Sequence, residues 1–207
     1  MRKPIFCIAF LLLGLNANAQ FTQTNTIDAS DIKNLQLNLD EVFAVEIQTG
    51  NFSNIEIISE AEGEYAEELQ LEIKQIEETL YVNSLFDAIL SSGFDKLSSH
   101  KVFAIQLKVK LPEKLQLSIS SNIAEVHLNG TLTYFDANLK SGNCYLQNFQ
   151  GNAKVNTYRG NINVETQAAQ IDAETRNGNL EVEEAIYKKH IIELKSIEGD
   201  IHVIQLN

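Results

Sequence analysis

The sequence predicts an all-β fold, a single-stranded, right-handed parallel β-helix (β-solenoid) with about 18–21 residues per coil. Three observations predict it. The first is a repeated corner: Leu139-Lys-Ser-Gly-Asn-Cys-Tyr-Leu146, Thr157-Tyr-Arg-Gly-Asn-Ile-Asn-Val164, Thr175-Arg-Asn-Gly-Asn-Leu-Glu-Val182 and Ser196-Ile-Glu-Gly-Asp-Ile-His-Val203. Their glycines, Gly142, Gly160, Gly178 and Gly199, are spaced 18, 18 and 21 residues apart, and Ser121–Leu128 fits one period earlier with Ala124 in the glycine place. The second is a set of apolar columns. Two residues after the glycine stand Val126, Cys144, Ile162, Leu180 and Ile201; seven before it stand Leu117, Phe135, Ala153, Ile171 and Ile192. The third is the alternation of apolar and polar residues within each unit, the mark of a strand with one buried face. Eighteen residues at about 3.3 Å each give a perimeter of roughly 60 Å, enough for a three-sided coil with a filled interior. Coils then stack about 4.8 Å apart as parallel strands, each burying its neighbour's apolar side. An antiparallel β-sandwich is the alternative, disfavoured because hairpin loops vary in length and these spacings hardly do.

Met1 to Ala19 reads as a secretory signal: Arg2 and Lys3, an apolar run from Ile5 to Leu15, then Ala17-Asn18-Ala19. Cleavage before Gln20 leaves 188 of the 207 residues and one domain, 20–207, with irregular coils over 43–110 and regular repeats over 111–207. Cys7 lies inside the apolar run rather than at the cleavage site, which argues against a lipid anchor. Phe43 to Ile57 carries the strand alternation with Gly50-Asn51 as its corner. Leu69, Leu71 and Ile73, then Leu80 and Val82, predict a strand pair turning at Glu77-Glu78. Segment 85–100 breaks the pattern. Its Phe86, Ile89, Leu90, Phe94 and Leu97 share a helical face, read as a flap over the solenoid, with a partner-binding element as the other reading. Phe103, Ile105, Leu107 and Val109 alternate up to Pro112 as a further strand, and the three extra residues before Gly199 are expected to bulge at a corner near Tyr187–His190.

The run Leu111-Pro112-Glu113-Lys114-Leu115-Gln116-Leu117, followed by Gly-Asn-Ile-Asn-Val repeats, resembles the bacterial adhesin family with short β-strand repeats and a related group named for its Gly-Ile-Asn head. The resemblance covers most of Phe43 to Leu206 and is strongest after Leu111. It implies an exported β-solenoid of the Bacteroidota type, an adhesin or binding module, and it carries over no catalytic residue.

Charge narrows the function classes. The full chain carries −12, and the signal holds two cations and no acid, so the mature chain carries −14. That balance gives no support to binding of nucleic acid or an anionic membrane, which require basic patches. Residues 40–80 hold twelve acids against Lys74, so the negative field belongs to the first half. A hydrophobic content of 44% separates the chain from acidic disordered tails. After the signal, no apolar run is long enough to span a bilayer. Cys144 is the single cysteine of the mature chain, which allows no intramolecular disulfide, and it reads as a buried core residue.

Catalytic motifs are absent: there is no HExxH, Gly-x-Ser-x-Gly, P-loop or cysteine cluster. Glu165 and Glu183 fall in one outward column about 5 Å apart, the separation of a retaining glycosidase pair, but any two residues of one column share that spacing. They read as a solvated face. His127 and His202 share a column four coils apart, about 19 Å, too far for a common metal, so no metal or cofactor is expected. The corners Gly142-Asn143, Gly160-Asn161, Gly178-Asn179 and Gly199-Asp200 are expected to form a structural ladder of stacked amides. The candidate ligand site is the stripe Lys140, Tyr158 and Arg176 with Arg159 beside it, where Tyr158 would lie between two cations. The expected function is a non-catalytic, exported cell-envelope binding or adhesion module, periplasmic or surface-exposed, for a glycan or anionic ligand. The alternatives are an envelope accessory protein that binds another protein and, trailing, a carbohydrate-active enzyme.

Overall fold

A computed structural model of the chain describes residues 20–62, 69–86, 104–185 and 187–206. The predicted signal, and segment 85–100 beyond its first two residues, lie outside the described residues. The strands in chain order are β1 (Gln20–Asp28), β2 (Asn34–Leu39), β3 (Ala44–Gly50), β4 (Asn54–Glu62) and β5 (Leu69–Ile76). There follow β6 (Thr79–Phe86), β7 (Ala104–Pro112), β8 (Gln116–Ser121), β9 (Glu125–Ser141) and β10 (Cys144–Arg159). The last are β11 (Ile162–Thr166), β12 (Ala169–Asn177), β13 (Leu180–Val182), β14 (His190–Glu198) and β15 (Ile201–Gln205). The fold is all-β, and its sheet is open rather than closed.

The long strands β9 and β10 each contribute to two ladders, so each repeat has two paired segments rather than the three sides expected from the perimeter. The first ladder runs β6, β2, β8, the second half of β9, the second half of β10, β14 and β12, all parallel. The second runs β7, β3, the first half of β9, the first half of β10, β11, β15 and β13, again parallel. Three further strands are antiparallel: β4 against β7, β1 against β4, and β5 against β6. The β5–β6 hairpin turns at Glu77-Glu78, as the sequence predicts, with Glu77 in the left-handed region at φ 52°. A segment of the first ladder, a corner and a segment of the second make one rung.

The alternation places the predicted columns inward. Leu80, Leu35, Leu117, Phe135, Ala153 and Ile192 stand side by side across the first ladder and are buried in one core cluster with Val126, Cys144, Ile162 and Ile201 of the second. Phe135 faces Ala153 across the strand pair and packs at 6.4 Å, tilted, on Phe149, so a large residue fills the room a small one leaves.

The rungs are not stacked in chain order. The β14–β15 rung inserts between the β10–β11 rung and the β12–β13 rung, so the corners follow the order Gly142, Gly160, Gly199, Gly178. The spacing of 21 residues before Gly199 has its reason here. After β13 the chain must step back past its own rung, and the described residues of that crossing, 183–185 and 187–189, lie outside any strand. The other end mirrors this, with the β2–β3 rung lying between β6–β7 and β8–β9 although it precedes both in sequence.

Candidate functional site

The corner column is joined by backbone N–H groups that donate to side-chain oxygens, not by amide stacked on amide, and it is reordered in space. Asn161 N–H donates to Asn143 Oδ1 at 2.8 Å, Asp200 N–H to Asn161 Oδ1 at 2.8 Å, and Asn179 N–H to Asp200 Oδ1 at 2.7 Å. Asp200 therefore sits between Asn161 and Asn179 rather than after them. Gly142 holds φ 125°, and a Cβ there would strike the Ala124 carbonyl; a Cβ on Gly160 would strike the Gly142 carbonyl, and one on Gly199 the Gly160 carbonyl. The corner glycines are thus fixed by the close approach of one rung's backbone to the next. Three residues before Gly160, Gly178 and Gly199 stands a hydroxyl that the polar reading of these positions missed, where Gly142 has Leu139. Thr157 and Ser196 are buried, bond each other at 3.2 Å and both donate to Gly160 O, while Thr175 donates to Gly199 O at 2.7 Å. The recurrent Ser or Thr at that position was the available signal: it satisfies a corner carbonyl that the ladder leaves over.

The predicted ligand stripe is only partly assembled. Lys140 and Tyr158 are lateral neighbours, as their flanking pairs Leu139–Thr157 and Ser141–Arg159 require. Tyr158 is 51% exposed and lines a groove of about 510 Å³ with Lys140, Asn138, Asn156, Ser120 and Ile197. Arg159 does not aim its charge into that groove. Its Nε donates to Glu198 Oε2 at 2.9 Å, and its guanidinium carbon lies 5.8 Å from the Tyr158 ring centre. Arg176 is displaced. Because β14 intervenes, Ile197 lies beside Tyr158 and Arg176 is one strand further, about 10 Å away. The expected placement of Tyr158 between two cations is therefore replaced by Lys140 on one side and an apolar wall on the other. Asn156 donates its amide to Asn138 at 3.0 Å along the same groove, leaving further amide valences turned outward.

The same insertion alters two other expectations. Glu165 and Glu183 are separated by Ile204, so they lie two strand spacings apart, about 10 Å, not 5 Å. His127 and His202 are three spacings apart through Tyr145 and Asn163, about 14 Å rather than 19 Å. Among the described residues no group of three or more His, Cys, Asp or Glu is placed to hold a metal. His127 stacks on Tyr145 with ring centres 4.5 Å apart and bonds Glu125 at 2.8 Å. That hydrogen bond holds the Glu125 carboxyl below its ordinary range, helped by the Asn143 amide and opposed by partial burial.

A second groove, of about 400 Å³, was not read from the sequence. It gathers Glu46, Gln48, Lys108, Lys110, His127 and Gln147 from strands remote in the chain. Its lysines are tied to Glu60 at 2.8 Å and Glu56 at 3.0 Å, and the Glu60 hydrogen bond raises the Lys108 ammonium above its usual value. Cys144 is fully buried, and that burial alone pushes its thiol up to about 12, which makes it an inert core residue.

A solved protein of Clostridium sporogenes shares this fold. Described as a putative cell adhesion protein from strain ATCC 15579, it aligns over 90% of this chain and 100% of its own at 16% identity, with a TM-score of 0.65. Structures described as putative adhesins from Bacteroides fragilis NCTC 9343 and Parabacteroides distasonis ATCC 8503 align at 11% and 10% identity over 89% of this chain and 97% of theirs, with TM-scores of 0.38 and 0.33. No family model and no curated protein matches the chain. Among the described residues no helix is long and apolar enough to cross a membrane.

Proposed function

We propose that the chain is an exported β-solenoid of the cell envelope that binds without catalysis, and that its ligand is a glycan held in the groove beside Tyr158 and Lys140. The observation that carries this is the composition of the groove: one exposed aromatic face, the cation of Lys140, which makes no ion pair among the described residues, and a bonded pair of amides. An aromatic face packs the apolar side of a sugar ring, and amides and hydroxyls match its hydroxyl groups. Lys140 adds a preference for a uronic or sialic acid type of carboxylate. Arg159, occupied by Glu198, positions Tyr158, and Arg176 lies outside the groove. The adhesion label of the Clostridium protein of like fold supports a binding role. Glu165 and Glu183, two strand spacings apart, do not match the close pair of a retaining glycosidase.

A glycan array tests the proposal. Wild-type protein is expected to retain acidic glycans, and Tyr158→Ala and Lys140→Ala each to lose retention roughly tenfold, on the order of 1.4 kcal/mol. Undiminished retention in both variants refutes the site, and turnover of any glycan refutes the non-catalytic reading. Surface protease shaving of intact cells distinguishes surface display from the periplasm.

A further inference from the structure

The outermost rung at one end is formed by β12 and β13, and among the described residues neither pairs with anything on its outer side. β12 alone offers a nine-residue strand edge. Inward-facing Ile171 and Ala173 on β12 are only half-buried, and Leu180 and Val182 on β13 are exposed. A long open edge with apolar inner residues is a template for a further strand. The outward residues of β12 are Gln170, Asp172, Glu174 and Arg176, and their neighbours on β14 are Ile191, Glu193, Lys195 and Ile197. Glu174 already faces Lys195 at 3.5 Å. Asp172 lies beside another acid, Glu193, which turns to Lys154, and Arg176 lies beside Ile197. Among the described residues neither Asp172 nor Arg176 makes an ion pair. The edge therefore asks an incoming strand for a cation opposite Asp172 and an acid opposite Arg176.

One strand supplies both, four residues apart and in the reverse order: β12 itself, run antiparallel. We infer that the chain forms a two-fold dimer in which β12 pairs with β12 of a second copy about Glu174, placing Asp172 opposite the other copy's Arg176 twice over. The contact is isologous, so one patch satisfies itself. A register centred on Ala173 sets Asp172 against Glu174 twice and leaves Arg176 without an acid, and one centred on Thr175 sets Arg176 against Glu174, which already holds Lys195, and leaves Asp172 beside Glu193 without a cation; only the register about Glu174 partners both. The two Glu174 carboxylates that meet on the axis each bring their own Lys195. On β13, Glu181 is held by His202 at 3.1 Å and Glu183 accepts the Gln205 N–H at 3.0 Å, so the acids of that rim are already engaged. The dimer joins the open ends and leaves the Tyr158 groove of each copy on an outer ladder, which doubles the valency of a surface binder.

Light scattering after size exclusion, at about 100 µM where a micromolar contact is filled, tests the pairing. The mature wild type is expected at twice the chain mass. Asp172→Arg and Arg176→Asp each set like charges opposite each other and are expected at the single-chain mass. An equimolar mixture of the two variants is expected to return to twice that mass, because each supplies what the other lacks, and this also shows that both are folded. A monomeric wild type overturns the inference, as would a mass above the dimer, single variants that still dimerise, or a mixture that stays monomeric. Glycan retention by a monomeric wild type would refute the dimer while leaving the groove in place.

Discussion

The two ends of the molecule are made from the same kind of strand and come out differently. At the end formed by β6 and β7, antiparallel strands continue the sheet: β5 covers β6, and β4 and β1 follow β7. The inward residues there, Leu80, Val82, Ile55 and Ile57, are buried. At the other end nothing described follows β12 and β13. Leu180 is 48% exposed and Val182 36%, although each stands in a column whose other members are buried. The apolar column is a property of the sequence, but burial is given by the next rung. The ends also share a device. At each, the outermost parallel rung is not the one first or last in the chain: β2–β3 and β14–β15 are both held between neighbours.

The largest effect that tests the contrast is chemical. With its thiol at about 12, Cys144 should react with an alkylating reagent at pH 8 roughly a thousandfold slower than an ordinary exposed cysteine. A cysteine placed at the open rung by Val182→Cys in a Cys144→Ala background should react at the ordinary rate. Labelling in the single-chain Asp172→Arg background, followed by mass spectrometry, checks this; slow reaction at 182 would mean that the end is covered within one chain.

Stability should show the same polarity with smaller numbers. Phe135, fully buried between two ladder neighbours, should cost about 3–5 kcal/mol when cut to Ala. Ile171→Ala, in the same row but on the outer rung, should cost about 1 kcal/mol in the single-chain Asp172→Arg background, where its side chain is only partly removed from water. Urea midpoints measure both, and equal losses would remove the distinction between inner and outer rungs. For Gly160→Ala the new Cβ meets a carbonyl in a stack fixed on both sides, for a loss of about 2–3 kcal/mol. Gly178→Ala meets the Gly199 carbonyl from an outer rung that is free to shift, and should lose about half as much.

These pairs also mark what the sequence made legible. The strand class, the hairpin at Glu77-Glu78, the inward columns and the corner amides follow from local alternation and from a glycine recurring at a fixed place. The order of the rungs does not. Ile162, Leu180 and Ile201 are interchangeable as column members, and no residue between them says which neighbour lies against which. Only the longer spacing before Gly199 carried a trace of the crossing, and it read equally as a bulge. Every inference that depended on adjacency in the last two rungs shifted for that one reason: Arg176 beside Tyr158, Glu183 beside Glu165, and the distance from His127 to His202. Lys140 beside Tyr158 held because the β9–β10 order is the chain order. The groove with Glu46, Lys108 and His127 was out of reach, because it joins strands that only the tertiary order makes neighbours.

The smallest expected effect lies in the acid limb of stability. The His127 hydrogen bond depresses the Glu125 carboxyl in the folded chain, so its contribution is present above the unfolded carboxyl value, near 4.5, and is lost as pH falls through the lower folded value. Both side chains are more than a third exposed, so solvent screening keeps the contribution below about 1 kcal/mol. Glu125→Gln should therefore be slightly less stable than wild type at pH 6 and converge with it as pH falls through the lowered Glu125 value. The analogous pair at the open rung, His202 and Glu181, bonds at 3.1 Å with Glu181 73% exposed. There Glu181→Gln should cost less stability at pH 6, because water competes for the bond from the uncovered side. Urea midpoints of the two variants across pH 3–7 measure the difference. A larger effect at Glu181 than at Glu125 would show that the open end is more enclosed in solution than its lone rung implies.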